Sequence, residues 1–321
     1  MRIAWLSTLF WALCLAGTWG PALAADPDEP ENDAESVQTG DDRGKDSAVA
    51  PSAITLQEHF QHVAMPPENL LSVARIGERL TYAVKWKGMA AGEAVLSVNR
   101  KTTVDGRPAY YLSLETESND FLGTFYKVQD KVRSYVDAET GHSLLFIRDI
   151  QEGGYRANDF LQFDYDKNLQ YYRTIKTASD TARASEKTPR PIPGPLQDPL
   201  SVLYYLRHTP LSVGMAREIL VGSRKRTGIL RVEVLREERV DLPDLGGFDA
   251  LVVKLANGGA AQGTYDPAVF NAKGEIQVWA EKETNIPLLI RVGLPIGSAE
   301  VVLYRAENSP LNERGPQGTV K

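Results

Sequence analysis

Leu80, Tyr82, Val84 and Trp86 alternate with Arg79, Thr81, Ala83 and Lys85. In an extended chain a period of two puts every second side chain on one face, so this stretch reads as a strand with one apolar side. The signal recurs. Residues 88–92 turn the chain, Ala94, Leu96 and Val98 alternate again, and Asp105-Gly106 is a tight-turn dipeptide. Tyr110, Leu112 and Leu114 form the next run, then Tyr126, Val128, Val132 and Val136. Residues 144–150, 159–165 and 169–174 continue at hairpin spacing. Strands in direct succession, with no helices between them, predict an antiparallel meander. A sheet this long cannot stay flat and must curl to bury its apolar side. The predicted fold is mainly β: a strongly curved antiparallel sheet or open barrel.

One helix interrupts it. Asp198 suits the cap, Pro199 the first turn, and Leu200, Leu203, Tyr204 and Arg207 repeat at helical spacing before Thr209-Pro210. The pattern predicts a central helix around 198–208 that packs against or plugs the curled sheet. Residues 175–197, polar and then rich in proline, are expected to be a long connection between two half-sheets. Strand signals resume at 217–222, 229–236, 248–255, 275–280, 288–292 and 300–304, separated by glycine-rich turns. Residues 54–306 are read as one β-rich domain and 307–321 as a flexible tail.

The chain begins with Arg2, an apolar run to Ala16, and Ala22-Leu23-Ala24, the anatomy of a cleavable signal peptide cut after Ala24. The apolar run is shorter than the roughly 20 residues of a permanent span, and no later run approaches that length. The expected location is the periplasm, with no transmembrane segment after cleavage. Cys14, the sole cysteine, lies in the signal, so the mature chain holds neither a disulfide nor a thiolate metal site. The net charge of -6 comes mostly from residues 26–50, which hold nine acids and two bases. Residues 25–53 therefore read as a disordered acidic leader, followed by a short amphipathic helix over 54–64. Acids and bases balance over 51–321, leaving no field to attract nucleic acid.

Residue types that carry chemistry do not converge in the sequence. His59 and His62 could share a helix face, but no third metal ligand is placed. Ser201, His208 and Asp198 are near one another, yet seven helical residues separate Ser201 from His208 by about 10 Å. Asp164 with Asp166, and Glu281 with Glu283, are carboxylate pairs by residue type alone. Glycine-rich segments join strand to strand with no helix start to hold a phosphate, so no nucleotide site is expected. No catalytic residue, metal or cofactor is assigned.

Three stretches carry a resemblance. These are Gly77-Glu78-x-Leu80-x-Tyr82-x-Val84-x-Trp86-x-Gly88 with Ala91-Gly92-x-Ala94, then Asp198-Pro199-Leu200-Ser201-x-Leu203-Tyr204-Tyr205-Leu206-Arg207, and Val278-Trp279 with Pro287-Leu288. Over roughly 73–305 the chain resembles a bacterial envelope family known only as domain of unknown function 3108. The resemblance implies an exported protein of Gram-negative bacteria and carries over no catalytic residue. More loosely, the layout is similar to the half-barrels of periplasmic lipoprotein carriers, an analogy of architecture.

The expected function is a non-enzymatic envelope factor that binds a lipid, lipoprotein or other envelope component in its concave face. The aromatic candidates are Tyr82, Trp86, Tyr204 and Trp279, since aromatic-lined sheets hold acyl chains or sugar rings. An envelope hydrolase acting on glycan or lipid, and a scaffold in an envelope complex that uses a free sheet edge, are the alternatives.

Overall fold

A computed structural model describes residues 75–178, 181–223, 227–257, 275–293 and 298–313. The signal, leader and 54–64 helix, with His59 and His62, lie outside the described residues, as do 314–321.

The described chain forms one 14-stranded antiparallel sheet. Its first half contains β1 (Arg79–Trp86), β2 (Met89–Val104), β3 (Arg107–Ser118), β4 (Gln129–Asp137), β5 (Ser143–Glu152), β6 (Tyr155–Asp164), β7 (Leu169–Ala178) and β8 (Thr181–Pro191). A one-turn helix, α1 (Asp120–Gly123), joins β3 to β4, and α2 (Ser201–His208) follows β8. The second half contains β9 (Ala216–Gly222), β10 (Thr227–Leu242), β11 (Gly246–Asn257), β12 (Ile276–Glu281), β13 (Pro287–Gly293) and β14 (Ser298–Glu307).

Each strand pairs with its sequence neighbour, and β14 pairs with β1, from Leu80 opposite Ala306 to Trp86 opposite Ala299. That pairing makes β8 and β9 the two ends of the sheet. They are not joined by a ladder. Instead β9 tucks against the buried face of β6 and β7. A Cβ on Gly222 would stand 2.4 Å from the Phe163 ring, and Gln170 Nε2 donates to the Ser223 carbonyl at 3.3 Å. An isolated parallel bridge between Gln197 and Val221 completes the overlap. The sheet is thus a scroll, in keeping with the curved sheet or open barrel expected.

Two expectations need correcting. Residues 175–197 are not simply a connection: β7 runs to Ala178, and Thr181–Pro191 forms β8 in register with it. Residues 181–189 of β8 are exposed throughout, because the overlap leaves this edge strand with no element packed on either face. The backbone ladder and the Arg173–Glu186 ion pair, at 3.5 Å, hold it to β7, so it has no apolar period. Residues 310–313, expected within the flexible tail, are also structured. After β14 a 3-10 turn, Pro310–Glu313, buries Leu311, while Asn312 Oδ1 accepts from Ser309 N at 2.9 Å. Arg75 pairs with Glu313 at 2.5 Å, so this segment is tied to the start of the domain.

Candidate functional site

α2 sits in one end of the scroll, and its sequence explains its placement. Asp198 Oδ1 accepts from the backbone N–H of Leu200 and of Ser201, both at 2.8 Å, and the Asp198 N–H donates to Ser201 Oγ at 2.8 Å. This reciprocal cap satisfies the orphan donors of the first turn. The Val202 N–H reaches the Asp198 carbonyl at 3.1 Å, with Pro199 in the turn where its missing N–H costs nothing. The other carboxylate oxygen of Asp198 accepts from Ser134 Oγ of β4 and Ser143 Oγ of β5, each at 2.5 Å. Burial raises the Asp198 pKa, against the pull of those hydrogen bonds. At the far end, Asn285 Nδ2 donates to the Thr209 carbonyl at 2.8 Å, closing the last turn.

Arg207 anchors α2 to the start of β1. Its two terminal nitrogens reach Glu78 Oε1 at 2.5 Å and Oε2 at 3.0 Å, and both side chains are fully buried. Burial opposes the Arg207 charge, but the Glu78 carboxylate outweighs it and raises the pKa. Sequence reasoning placed Arg207 on the apolar helical stripe without naming its partner. A charge in that register was the available signal.

The four aromatic candidates do not form one site. Tyr82 and Tyr204 meet around the Arg207–Glu78 pair. The Arg207 guanidinium lies 5.3 Å from the Tyr204 ring centroid, and Tyr82 Oη donates to the Pro287 carbonyl at 3.0 Å. Burial raises both phenol pKa values. Trp86 lies on the Tyr82 side of β1, four residues and about 13 Å further along, half-buried at the opposite rim. Trp279 points away from α2. Its neighbours Val278 and Ala280 face Leu203 and Leu206, so the pleat turns the indole to the other face of β12, where it is buried with the Arg291 guanidinium 4.9 Å from its ring.

Among the described residues, α2 packs closely against β11, β12 and the start of β13. The cavity between α2 and Val253, Val278, Ala280 and Pro287 measures about 20 Å³, on the scale of a single water. That gap is too small for an acyl chain.

The candidate catalytic groups of the sequence have structural partners. Ser201 Oγ serves the cap and Asp198 is occupied by four donors. Asp164 pairs with Lys167 and Asp166 with Arg107, each at 2.8 Å or less. Glu281 Oε2 accepts from the N–H of Glu283 and Thr284 and from Thr284 Oγ1, which fixes a turn. Among the described residues no group of three His, Asp or Glu could hold a metal, and no helix is long and apolar enough to cross a membrane.

The open space lies elsewhere. A cleft of about 840 Å³ runs over β2, β3 and β4 to the rim that carries α1. Glu93, Glu115, Glu117, Asp120 and Asp130 line it, against the bases Arg79 and Lys131. Lys131 neutralises Glu115 at 2.6 Å, and Gln129 Nε2 donates to Glu117 at 2.9 Å. Asp130 is almost wholly buried and accepts from the Gln151 N–H at 2.9 Å. Burial raises its pKa, opposed by that bond, by the Arg148 charge and by a hydrogen bond shared with Glu152. Beside it Thr116 Oγ1 is buried without a hydrogen-bond partner. The mainly acidic lining suits a ligand that is cationic and donates hydrogen bonds. Sequence reasoning missed this cleft, which three strands and a loop assemble together.

The chain belongs to the DUF3108 family, described as proteins of unknown function, whose profile matches residues 81–304. Among solved structures it is similar to a β-barrel-like protein of domain of unknown function DUF1849 from Brucella abortus. Identity is 10%, covering 73% of this chain and 98% of that one, with a TM-score of 0.46. It is also similar to a protein from Bacteroides fragilis described as exported, with a YmcC-like fold (11% identity, 73% and 97% covered, TM-score 0.32). A third, from Parabacteroides distasonis and described as a lipoprotein, has 12% identity, 75% and 99% covered, and a TM-score of 0.31. No curated protein matches the chain.

Proposed function

We propose that the protein is a non-enzymatic periplasmic factor that binds a lipid, lipoprotein or other envelope component through the open cleft at the α1 rim. One observation carries this reading. Among the described residues the gap beside α2 is small and apolar, while the roomy cleft is polar and acidic. The part of the ligand that enters would therefore be a polar or cationic group rather than an acyl chain. The signal-like first residues support an address outside the cytoplasm. Relatives by fold described as exported or as a lipoprotein agree with that address.

Native mass spectrometry of the protein purified without detergent from periplasm tests the reading. A co-purifying mass that disappears in Asp130→Asn and Glu117→Gln supports it. A clean apo mass from the wild-type protein overturns it. A second reading has one observation in its favour: Asp130 and Glu152 share a hydrogen bond at the cleft, and a buried carboxyl with a raised pKa suits a general acid. Turnover of an envelope glycan or lipid that Asp130→Asn abolishes would select the hydrolase.

A further inference from the structure

We propose that the rim bearing α1 is a membrane-docking tip that inserts Phe121, Phe125 and Met89 into a phospholipid surface. These residues are 70%, 63% and 58% exposed, and they are half of the six large hydrophobic side chains that stand exposed among the described residues. All three lie at one end of the sheet. Met89 opens β2 just after the β1–β2 turn, and Phe121 and Phe125 lie on and just after α1. Asn119 ties the two loops together, its N–H donating to the Ala91 carbonyl at 3.0 Å and its Nδ2 to the Ala90 carbonyl at 2.9 Å.

The tip is built to hold its aromatic residues outward. Asn119 Oδ1 caps α1 through the Leu122 N–H at 2.9 Å, and Thr124 Oγ1 bonds the Asp120 carbonyl at 2.9 Å. Ser118 and Val128 clamp the base, with N–H to carbonyl and N–H to hydroxyl both at 3.1 Å. Phe121 and Phe125 are four residues apart, and their rings meet edge to face at 5.8 Å. Trp86, half-buried beneath, carries Lys87 over its ring at 5.3 Å, an aromatic and a cation at the level where headgroups would lie.

Size and charge choose the occupant. Three side chains present far less than the roughly 800 Å² per partner of a stable protein interface. They are enough for shallow insertion into a bilayer, where each apolar group adds independently. The charges near the tip are mixed: Lys87 and Lys127 stand against Asp120, Glu93 and Glu117. The surface sought is therefore a zwitterionic bilayer reached by insertion, without attraction to anionic lipid. The inference stands apart from the cleft reading, since no residue of the insertion triad lines the cleft.

The test is sedimentation of the protein, isolated as exported, with phosphatidylcholine vesicles and with vesicles containing added phosphatidylglycerol. The expected result is partitioning onto phosphatidylcholine that Phe121→Ser/Phe125→Ser lowers by at least ~10-fold. Added phosphatidylglycerol should bring no gain, and brominated lipid should quench Trp86. The double variant changes exposed residues only, so its thermal midpoint should match the wild type. Failure of the wild type to partition, or equal partitioning by the double variant, overturns the proposal. So does a dimer that the double variant dissolves while neither protein binds vesicles. Asp130→Asn, by contrast, should leave partitioning unchanged, which separates this result from the fate of the cleft.

Discussion

Arg207 grips Glu78 with both arms of its guanidinium, and neither side chain reaches solvent. The pair joins a helix in mid-chain to the first strand, 129 residues away. Removing one partner leaves the other charge buried and unpaired, which costs about 3–5 kcal/mol. Glu78→Leu and Arg207→Met should each lower the urea midpoint sharply. The double variant Glu78→Leu/Arg207→Met removes both charges and should be clearly more stable than either single variant. If the double variant is as unstable as the sum of the two, the pair is not what holds α2.

Asp198 has two duties, and its variants should separate them. Asp198→Ala loses the cap, worth ~1 kcal/mol, and strands the hydroxyls of Ser134 and Ser143, at about 1–3 kcal/mol for each buried group left unpaired. Ser134→Ala/Ser143→Ala keeps the cap and removes those donors from the other carboxylate oxygen. It should cost clearly less than Asp198→Ala. Urea unfolding of the three proteins checks the order.

What the sequence made legible follows from how local each feature is. The β1 alternation and the Asp198-Pro199 helix start are set by neighbouring residues, and both appear as read. β8 was hidden because an edge strand exposed on both faces has no apolar period to detect. Trp279 was assigned to the concave face because period two gives alternation but not its sign. In β12, Val278, Trp279, Ala280 and Glu281 are buried in succession, so both faces look alike. The Glu78–Arg207 pair and the cleft at Asp130 depend on contacts between distant segments, which no local pattern encodes. The aromatic tip was hidden for a different reason: an exposed Phe has the same sequence signature as a buried one.

His142, in the β4–β5 turn, predicts how stability depends on acid. Burial lowers its pKa from 6.5 to about 4, with the nearby Asp137 charge pulling the other way. The fold therefore favours the neutral ring. Its contribution is complete above pH 6.5 and is lost as pH falls from 6.5 through 4. Asp130 and Asp198, whose pKa values are raised, act with the opposite sign, since their folded forms favour the proton. Comparison with His142→Gln cancels those carboxyls. The wild type should lose stability relative to His142→Gln as the pH of urea melts steps from 7 to 4.5. Parallel losses in the two proteins would show that folding does not shift the imidazole pKa.

Gly222 marks where the scroll overlaps itself, and it needs to be glycine for reasons of space. A methyl there would stand 2.4 Å from two ring carbons of Phe163 and 3.5 Å from Leu161. No real contact is that short, so either the ring or β9 must move. Phe163 is itself buried, with little room to yield. Gly222→Ala should therefore destabilise by about 1–3 kcal/mol, the cost of overpacking a core. The backbone hydrogen bonds of β9 to β10 should survive, because a Cβ projects from the face of the strand, out of the plane of that ladder. Hydrogen exchange should accordingly speed up at Gly222 and Gln197, whose backbone groups bond across the overlap, more than along β10. Phe163→Leu removes the ring carbons that collide and should restore part of the loss in the Gly222→Ala background, although it costs stability alone. A double variant no better than the sum of its parts would mean that β9 and β6 do not touch as described, and that the sheet ends without overlapping.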